Sequence, residues 1–266
     1  MEILRFTSLV AELRQGDILE LCSSLRPYGC TAGVILTADC DLVQGKHYGH
    51  LLVCPILTAQ EYFAKIWLPK KVARLTNRLG QEARRKLIMC DSRLGALSDE
   101  YLNLVIENEK SIRLVLQDAN PSVRIIEDLI SISSTLGGLA GSQIAIEAYV
   151  NACKIIDARP VEKLRDSMIS EFRSHLTQDS NDIVVLPDML TPSSLAHVVL
   201  LRSPFSIALS EVGEAFGEGV FAKRVASFES PVKFLIAQKF GYLFSRIGMP
   251  GTIEKERADC VSILEV

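Results

Sequence analysis

Strand character appears at both ends of this chain and is lost across residues 59–180, and that interruption constrains the fold more than any single motif. The N-terminal part reads GDILEL (Gly16 to Leu21), a turn-rich SSLRPYG, then AGVILTADCDL (Ala32 to Leu42). The loop VQGKHYGH and a third run, LLVCPILT (Leu51 to Thr58), complete it. These runs are apolar and β-branched, and Gly, Pro and Ser bound them, as short strands require. Three short strands by themselves leave unpaired edges, which a folded chain must cover. Strand period returns at Ile183 to Leu186, Leu195 to Leu201 and Val220 to Phe228. Pairing the two groups predicts an α+β protein with a β domain built from 1–58 and 181–266 and an α-helical insertion at 59–180.

The insertion carries helical period throughout. Gln60 to Trp67 predicts a short helical turn, and Pro69 suits the first turn of a longer helix to about Met89. Its Val72, Leu75, Leu79, Ala83 and Leu87 fall on one face. Further helices are expected at Ser98 to Leu116, Asn120 to Leu136, Ser142 to Asp157, and from Arg159-Pro160 through Phe172. A last helix, Val232 to Ile247, follows Ser230-Pro231 and is stopped by Gly248 and Pro250.

Composition excludes more than it selects. A net charge of −3 gives no global drive toward nucleic acid or anionic lipid. No apolar run reaches the roughly 18 residues that a spanning helix needs. Glu2, Arg5 and Glu12 break up the apolar N-terminus, so no signal peptide is expected and the protein reads as cytoplasmic, with no membrane partner. Seven scattered cysteines without a Cys-x-x-Cys pair point away from a disulfide framework and a zinc ribbon. Walker loops, dinucleotide fingerprints, Gly-x-Ser-x-Gly elbows and His-Glu-x-x-His helices are missing from the sequence, so no cofactor is expected.

Polar chemistry is densest around Asp39-Cys40-Asp41, with His47 and His50 close behind. On a strand end the two carboxylates share one face and Cys40 takes the other. Two carboxylates at i, i+2 can bind Mg²⁺ or divide into an acid and a base, or they can bond the backbone of a turn. Cys40 with His47 or His50 could form a thiolate–imidazole pair or part of a zinc site, with Cys30 or Cys22 a further ligand across the sheet, and solvent-facing loop histidines are the plainer account. His197, in an apolar strand, reads as a hydrogen-bonded core residue.

A second concentration is basic. Lys65 to Arg93 holds nine Lys or Arg against Glu82 and Asp91, a local excess of +7. On a helix Lys70, Arg74, Arg78 and Arg85 line one flank, with Lys71 adjacent, and could follow a phosphate backbone. Trp67 could stack on a base. The competing account is the solvated face of an amphipathic helix.

Taken together, GDILEL, the loop Arg26-Pro27, AGVILT and LLVCPILT resemble the MazF/PemK-type toxins, SH3-like β-barrel endoribonucleases. The resemblance covers about the first fifth of the chain. Gly16 and Asp17 match the opening strand, Arg26-Pro27 the basic loop, and Pro55 and Thr58 the third strand. It implies a barrel assembled from both chain ends, and places phosphate chemistry on Arg26 and Thr58, with Asp39 an additional candidate for proton transfer. The chain departs from the pattern in the six residues Tyr28 to Gly33 and in Leu57, which precedes Thr58; a one-residue shift turns a strand side chain to the other face. The Asp-Cys-Asp-Leu motif and the ending AKRVASFESPVKFLIAQKFGYLFSRIGMP are similar to bacterial proteins of mobile or defence-related loci.

Two functions follow as expectations. The first is a non-catalytic binding or regulatory protein of a bacterial stress or phage-defence system, engaging a protein partner through the insertion. The second is an RNA-binding, metal-independent endoribonuclease. Either is compatible with a homo-oligomer.

Overall fold

The computed structural model describes residues 4–5, 12–25, 27–90, 95, 126–132, 145–156, 159–178, 182–187 and 196–245. The chain divides into two compact units, Met1–Ala59 with Gln178–Val266, and Gln60–Thr177. No helix among the described residues is long and apolar enough to cross a membrane.

Among the described residues the first unit is a mixed sheet of nine strands. These are β1 (Leu4–Arg5), β2 (Asp17–Leu21), β3 (Ala32–Ile35), β4 (His50–Thr58), β5 (Ile183–Pro187), β6 (Ala196–Leu200), β7 (Phe205–Ala208), β8 (Val212–Gly213) and β9 (Ala222–Phe228). Their order is β1-β9-β2-β3-β4-β6-β5, with β7 on β4 and β8 on β9. Among the described residues only the β8–β9 pair is parallel. On β4, Val53 faces Phe205 and Ile56 faces Val199, so β7 and β6 follow one another along the edge opposite β3. The N-terminal strands therefore find their partners at the other end of the chain, as the edge argument requires. Among the described residues the path runs open from β1 to β5, and the architecture is α+β.

Burial follows from period. In β9 the positions alternate strictly, with Ala222, Arg224, Ala226 and Phe228 buried. β3 is buried on both faces, as is β4 from Val53 to Leu57, whereas His50 and Leu52 of β4 are exposed and Glu20 of β2 is only partly buried. One layer of the core gathers Ile18, Val34, Ile56, Val199 and Phe228 with Val232 and Ile236. The last two belong to the C-terminal helix Ser230–Ser245, whose apolar face caps that layer. Close strand approach needs Gly33, where an added Cβ would lie 2.5 Å from Val53 Cγ1.

The strand that the sequence extends through Leu42 in fact stops at Ile35. Asp39–Val43 forms a short helix, α1. Leu36 N–H still donates to Leu52 O at 2.8 Å, and Leu52 N–H is then taken by the Thr37 hydroxyl, so the backbone ladder ends there. Asp39 and Asp41 in the first turn suit the positive end of a helix. Strand β7, by contrast, is an element the sequence reading lacks; it is only four residues long and follows Pro204.

The second unit is helical. From β4 the chain enters α2 (Ala59–Tyr62), a π-helical turn at Phe63–Trp67, then α3 (Leu68–Cys90). α4 (Ala145–Ile156) and α5 (Val161–Thr177) follow, and residues 126–132 are also helical. In α3 the residues Leu68, Val72, Leu75, Leu79, Ala83 and Leu87 are buried along one face. The helix expected at Ser98 to Leu116 and the tail after Ser245 lie outside the described residues, as does most of Asn120 to Leu136.

Candidate functional site

Asp39 opens α1, and both of its oxygens are engaged. Oδ1 accepts from the backbone N–H of Gln15 at 2.7 Å, and Oδ2 from Lys233 Nζ at 2.8 Å. Lys233 lies in the first turn of the C-terminal helix, which we label α6 (Ser230–Ser245). Its stem runs against Gly16, where an added Cβ would come within 2.9 Å of it. Gly16 has φ +87°, a region in which a side chain is strained. Partial burial raises the Asp39 carboxyl, but the Lys233 and Gln15 hydrogen bonds outweigh it and hold the pKa below the ordinary value. The outcome is an ionised anchor joining three separate segments, a poor proton donor at neutral pH.

The candidate catalytic side chains do not converge on Asp39. Thr58 ends β4 and faces His197 of β6. Asp39 lies beyond the opposite end of β3, where Ile35 faces Val53. Thr58 stands five positions after Val53, roughly 17 Å along the strand. The register therefore sets Asp39 and Thr58, the two alternative candidates for proton transfer, at opposite ends of the β3–β4 pairing. Arg26 lies outside the described residues, between the short helical turns Ser23–Leu25 and Pro27–Gly29. By connectivity its loop joins β2 to β3 at the Thr58 end of the sheet. In that loop Tyr28 adopts φ 57°, and its hydroxyl sits 3.2 Å from Ser203 Oγ.

Because Asp39, Cys40 and Asp41 are helical, the alternation that put Cys40 opposite the carboxylates does not apply; successive side chains turn by about 100°. Cys40 is exposed, with Sγ 3.6 Å from Asp41 Oδ1. His47 Nδ1 accepts from Gly49 N–H at 3.0 Å, and His50 Nδ1 lies 3.3 Å from Ser206 Oγ. Among the described residues, no three His, Cys, Asp or Glu side chains are grouped to hold a metal ion.

In the helical unit the basic cluster divides by neighbourhood. Lys70, Arg74, Arg78 and Arg85 are exposed on α3, within an arc of about 80° and over roughly 22 Å. Arg85 forms a forked pair with Glu82, at 3.0 and 2.7 Å, which lowers the Glu82 pKa and raises that of Arg85. Lys71 pairs with Glu171 of α5 and sits 5.1 Å over the Trp67 ring. Trp67 is only 5% exposed. Its ring packs on Phe63 at 5.4 Å and edge-on to Phe172 at 5.2 Å. Stacking on a nucleic-acid base is thus corrected to core packing in an aromatic cluster, which a π-helical turn places inward.

Two polar arrangements escaped the sequence reading. Asp17 and Arg224 form a buried ion pair at 3.2 Å, with side chains 2% and 5% exposed. The signal was present in the inward phase of β9, where Arg224 stands between the small Ala222 and Ala226. Tyr62 and His175 are linked at 2.8 Å and stacked with rings 5.8 Å apart; they are far apart in sequence, so no local pattern connects them. The chain matches no family model, no curated protein and no solved structure in comparison with known proteins.

Proposed function

We propose that the protein is a non-catalytic binding or regulatory protein of a bacterial stress or phage-defence system. Its β unit acts as an SH3-like, MazF-type scaffold and its helical unit engages a protein partner. The observation that carries this reading is the use of Asp39 as an anchor to Lys233 and Gln15, at the far end of the sheet from Thr58. A nuclease site on Arg26 and Thr58 would therefore have to work without Asp39 as its proton-transfer group. The barrel assignment is supported by sheet faces buried on both sides and by β6 and β7 succeeding one another along β4, as in a strongly curled sheet.

Within the helical unit, Lys70, Arg74 and Arg78 offer an exposed cationic row for an acidic protein surface. Such a row steers association and loses strength with salt. The same row favours the second reading, an RNA-binding endoribonuclease acting without metal, in which the RNA 2′-hydroxyl is the internal nucleophile. The full-length protein incubated with RNA at low salt separates the two. The binding reading expects intact RNA, an unchanged cellular effect in Arg26→Ala, and partner capture lost in Lys70→Glu/Arg74→Glu. RNA cleavage that disappears in Arg26→Ala overturns it.

A further inference from the structure

The C-terminal helix α6 is apolar on its outer side as well as on the side that caps the sheet. Val232, Ile236 and Leu243 are buried in the core, yet Phe234, Leu235 and Tyr242 are 61%, 40% and 49% exposed. A helix that is apolar all round is ordinarily covered all round, and a contiguous exposed apolar patch marks an interaction surface. Phe234, Leu235, Gln238, Gly241, Tyr242 and Ser245 fall within an arc of about 120°. No charged residue stands in that arc. Of the two lysines of α6, Lys233 is bonded to Asp39, and Lys239 lies about 40° past the edge.

Gly241 is a second and independent observation. Glycine weakens a helix interior relative to alanine. Among the described residues nothing in the packing requires it, because an added Cβ would meet no atom within 4 Å. Its effect lies on the outside, as a notch in the apolar stripe. Another helix can approach closely there, since the side chains at a contact set the distance between helix axes.

We infer that this face packs on the same face of a second copy of the chain, the two α6 helices running antiparallel about a two-fold axis at Gln238. Self-complementarity, which an isologous contact demands, selects that occupant over a foreign partner. With the axis at Gln238, Phe234 enters the notch at Gly241 of the second copy and Leu235 meets its Tyr242. The two Gln238 amides, each a donor and an acceptor, bond to one another. A stripe without charge suits self-pairing, in which a charge near the axis would meet its like. The helix is only about 24 Å long, so the contact falls below the ~800 Å² per partner of a standard interface. The dimer is therefore weak, with a dissociation constant on the order of 1–100 μM. The inference concerns the β unit and stands whether or not the helical unit engages a partner.

Sedimentation velocity of the full-length protein, over concentrations that bracket that dissociation constant, tests it. The parent is expected to pass from monomer to dimer. Phe234→Ala should weaken dimerisation by about 10- to 100-fold, because both copies lose an aromatic anchor. Gln238→Glu and Gln238→Lys place like charges across the axis and should each stay monomeric, whereas their equimolar mixture should restore a 1:1 dimer. Gln238 is exposed, so both variants should keep the fold, which circular dichroism verifies. Gly241→Ala should weaken the dimer while raising the thermal stability of the monomer, a split that a glycine needed by the monomer fold does not give. A parent that remains monomeric throughout overturns the inference. So does a dimer that survives in both Gln238 variants, or a mixture no more associated than its components.

Discussion

Asp17 is the second residue of the Gly-Asp pair that opens the β unit, and its replacement tests whether that pair is architecture. Asp17 Oδ2 accepts from Arg14 N–H at 2.8 Å and from Arg224 Nη1 at 3.2 Å, while Arg224 Nη1 also donates to Glu12 O at 3.0 Å. The pair joins β2 to its neighbour β9, whose register places Asp17 opposite Ser227 and Leu19 opposite Arg224. Asp17→Ala leaves a buried guanidinium without its carboxylate, a change that costs about 3–5 kcal/mol. Replacing both partners, as Asp17→Asn with Arg224→Met, removes both charges and should recover most of that loss, to within about 1–2 kcal/mol of the parent. Trp67 is the single tryptophan and lies in the helical unit, so its fluorescence is the wrong probe. Amide hydrogen exchange of β2 and β9 reads the relevant unit directly. For Asp17→Ala, exchange through the opening of this sheet should accelerate by about 100- to 5,000-fold. A loss under about 1 kcal/mol, or a double variant as unstable as the sum of the singles, would refute the reasoning.

Gly16→Ala should destabilise the β unit by about 1–3 kcal/mol, because φ +87° disfavours a side chain and the Lys233 stem occupies its space; urea unfolding followed by circular dichroism measures it. Asp39 has a folded pKa below its ordinary value, so its contribution is present at neutral pH and is lost as pH falls from the ordinary carboxylate range through the folded value. Asp39→Asn should accordingly be less stable at pH 7 by ~1 kcal/mol or less, given its half-exposed site, and the gap should close below about pH 4; a gap independent of pH contradicts the ion pair. Cys54 is buried and its thiol is pushed up to about 12 by that burial, whereas Cys40 is exposed. A thiol reagent at pH 8 should modify Cys40 in the native protein and Cys54 only on unfolding, as peptide mass mapping reports.

Much of the secondary structure is legible because it follows from period. The alternation of Ala222 to Phe228 and the helical spacing from Val72 to Leu87 each mark the buried face that the fold uses. Pro160 marks a helix beginning because proline fits a first turn, where its missing N–H costs no internal bond, whereas Pro69 follows the π-helical turn inside helical chain that is already continuous from Ala59. Local pattern fails at Asp39-Cys40-Asp41: the apolar run before it looks like a continuing strand, and the ladder ends only because Thr37 takes the Leu52 N–H. Trp67 fails for a related reason. Its neighbours are basic in sequence, but the π-helical turn aims the ring at Phe63 and Phe172 instead of solvent.

Sequence alone determines that this chain is α+β and that strands from its two ends must meet, because a three-stranded edge in water is unstable and nothing in the helical stretch can cover it with strands. It also determines where the basic residues concentrate. Only the tertiary structure decides what the conspicuous polar residues do. Asp39 is spent on Lys233, Asp17 on Arg224, Lys71 on Glu171 and Tyr62 on His175, and every one of these partners is about 100 residues or more away along the chain. Ion pairing and hydrogen bonding depend on distance in space, which residue spacing along a chain does not encode.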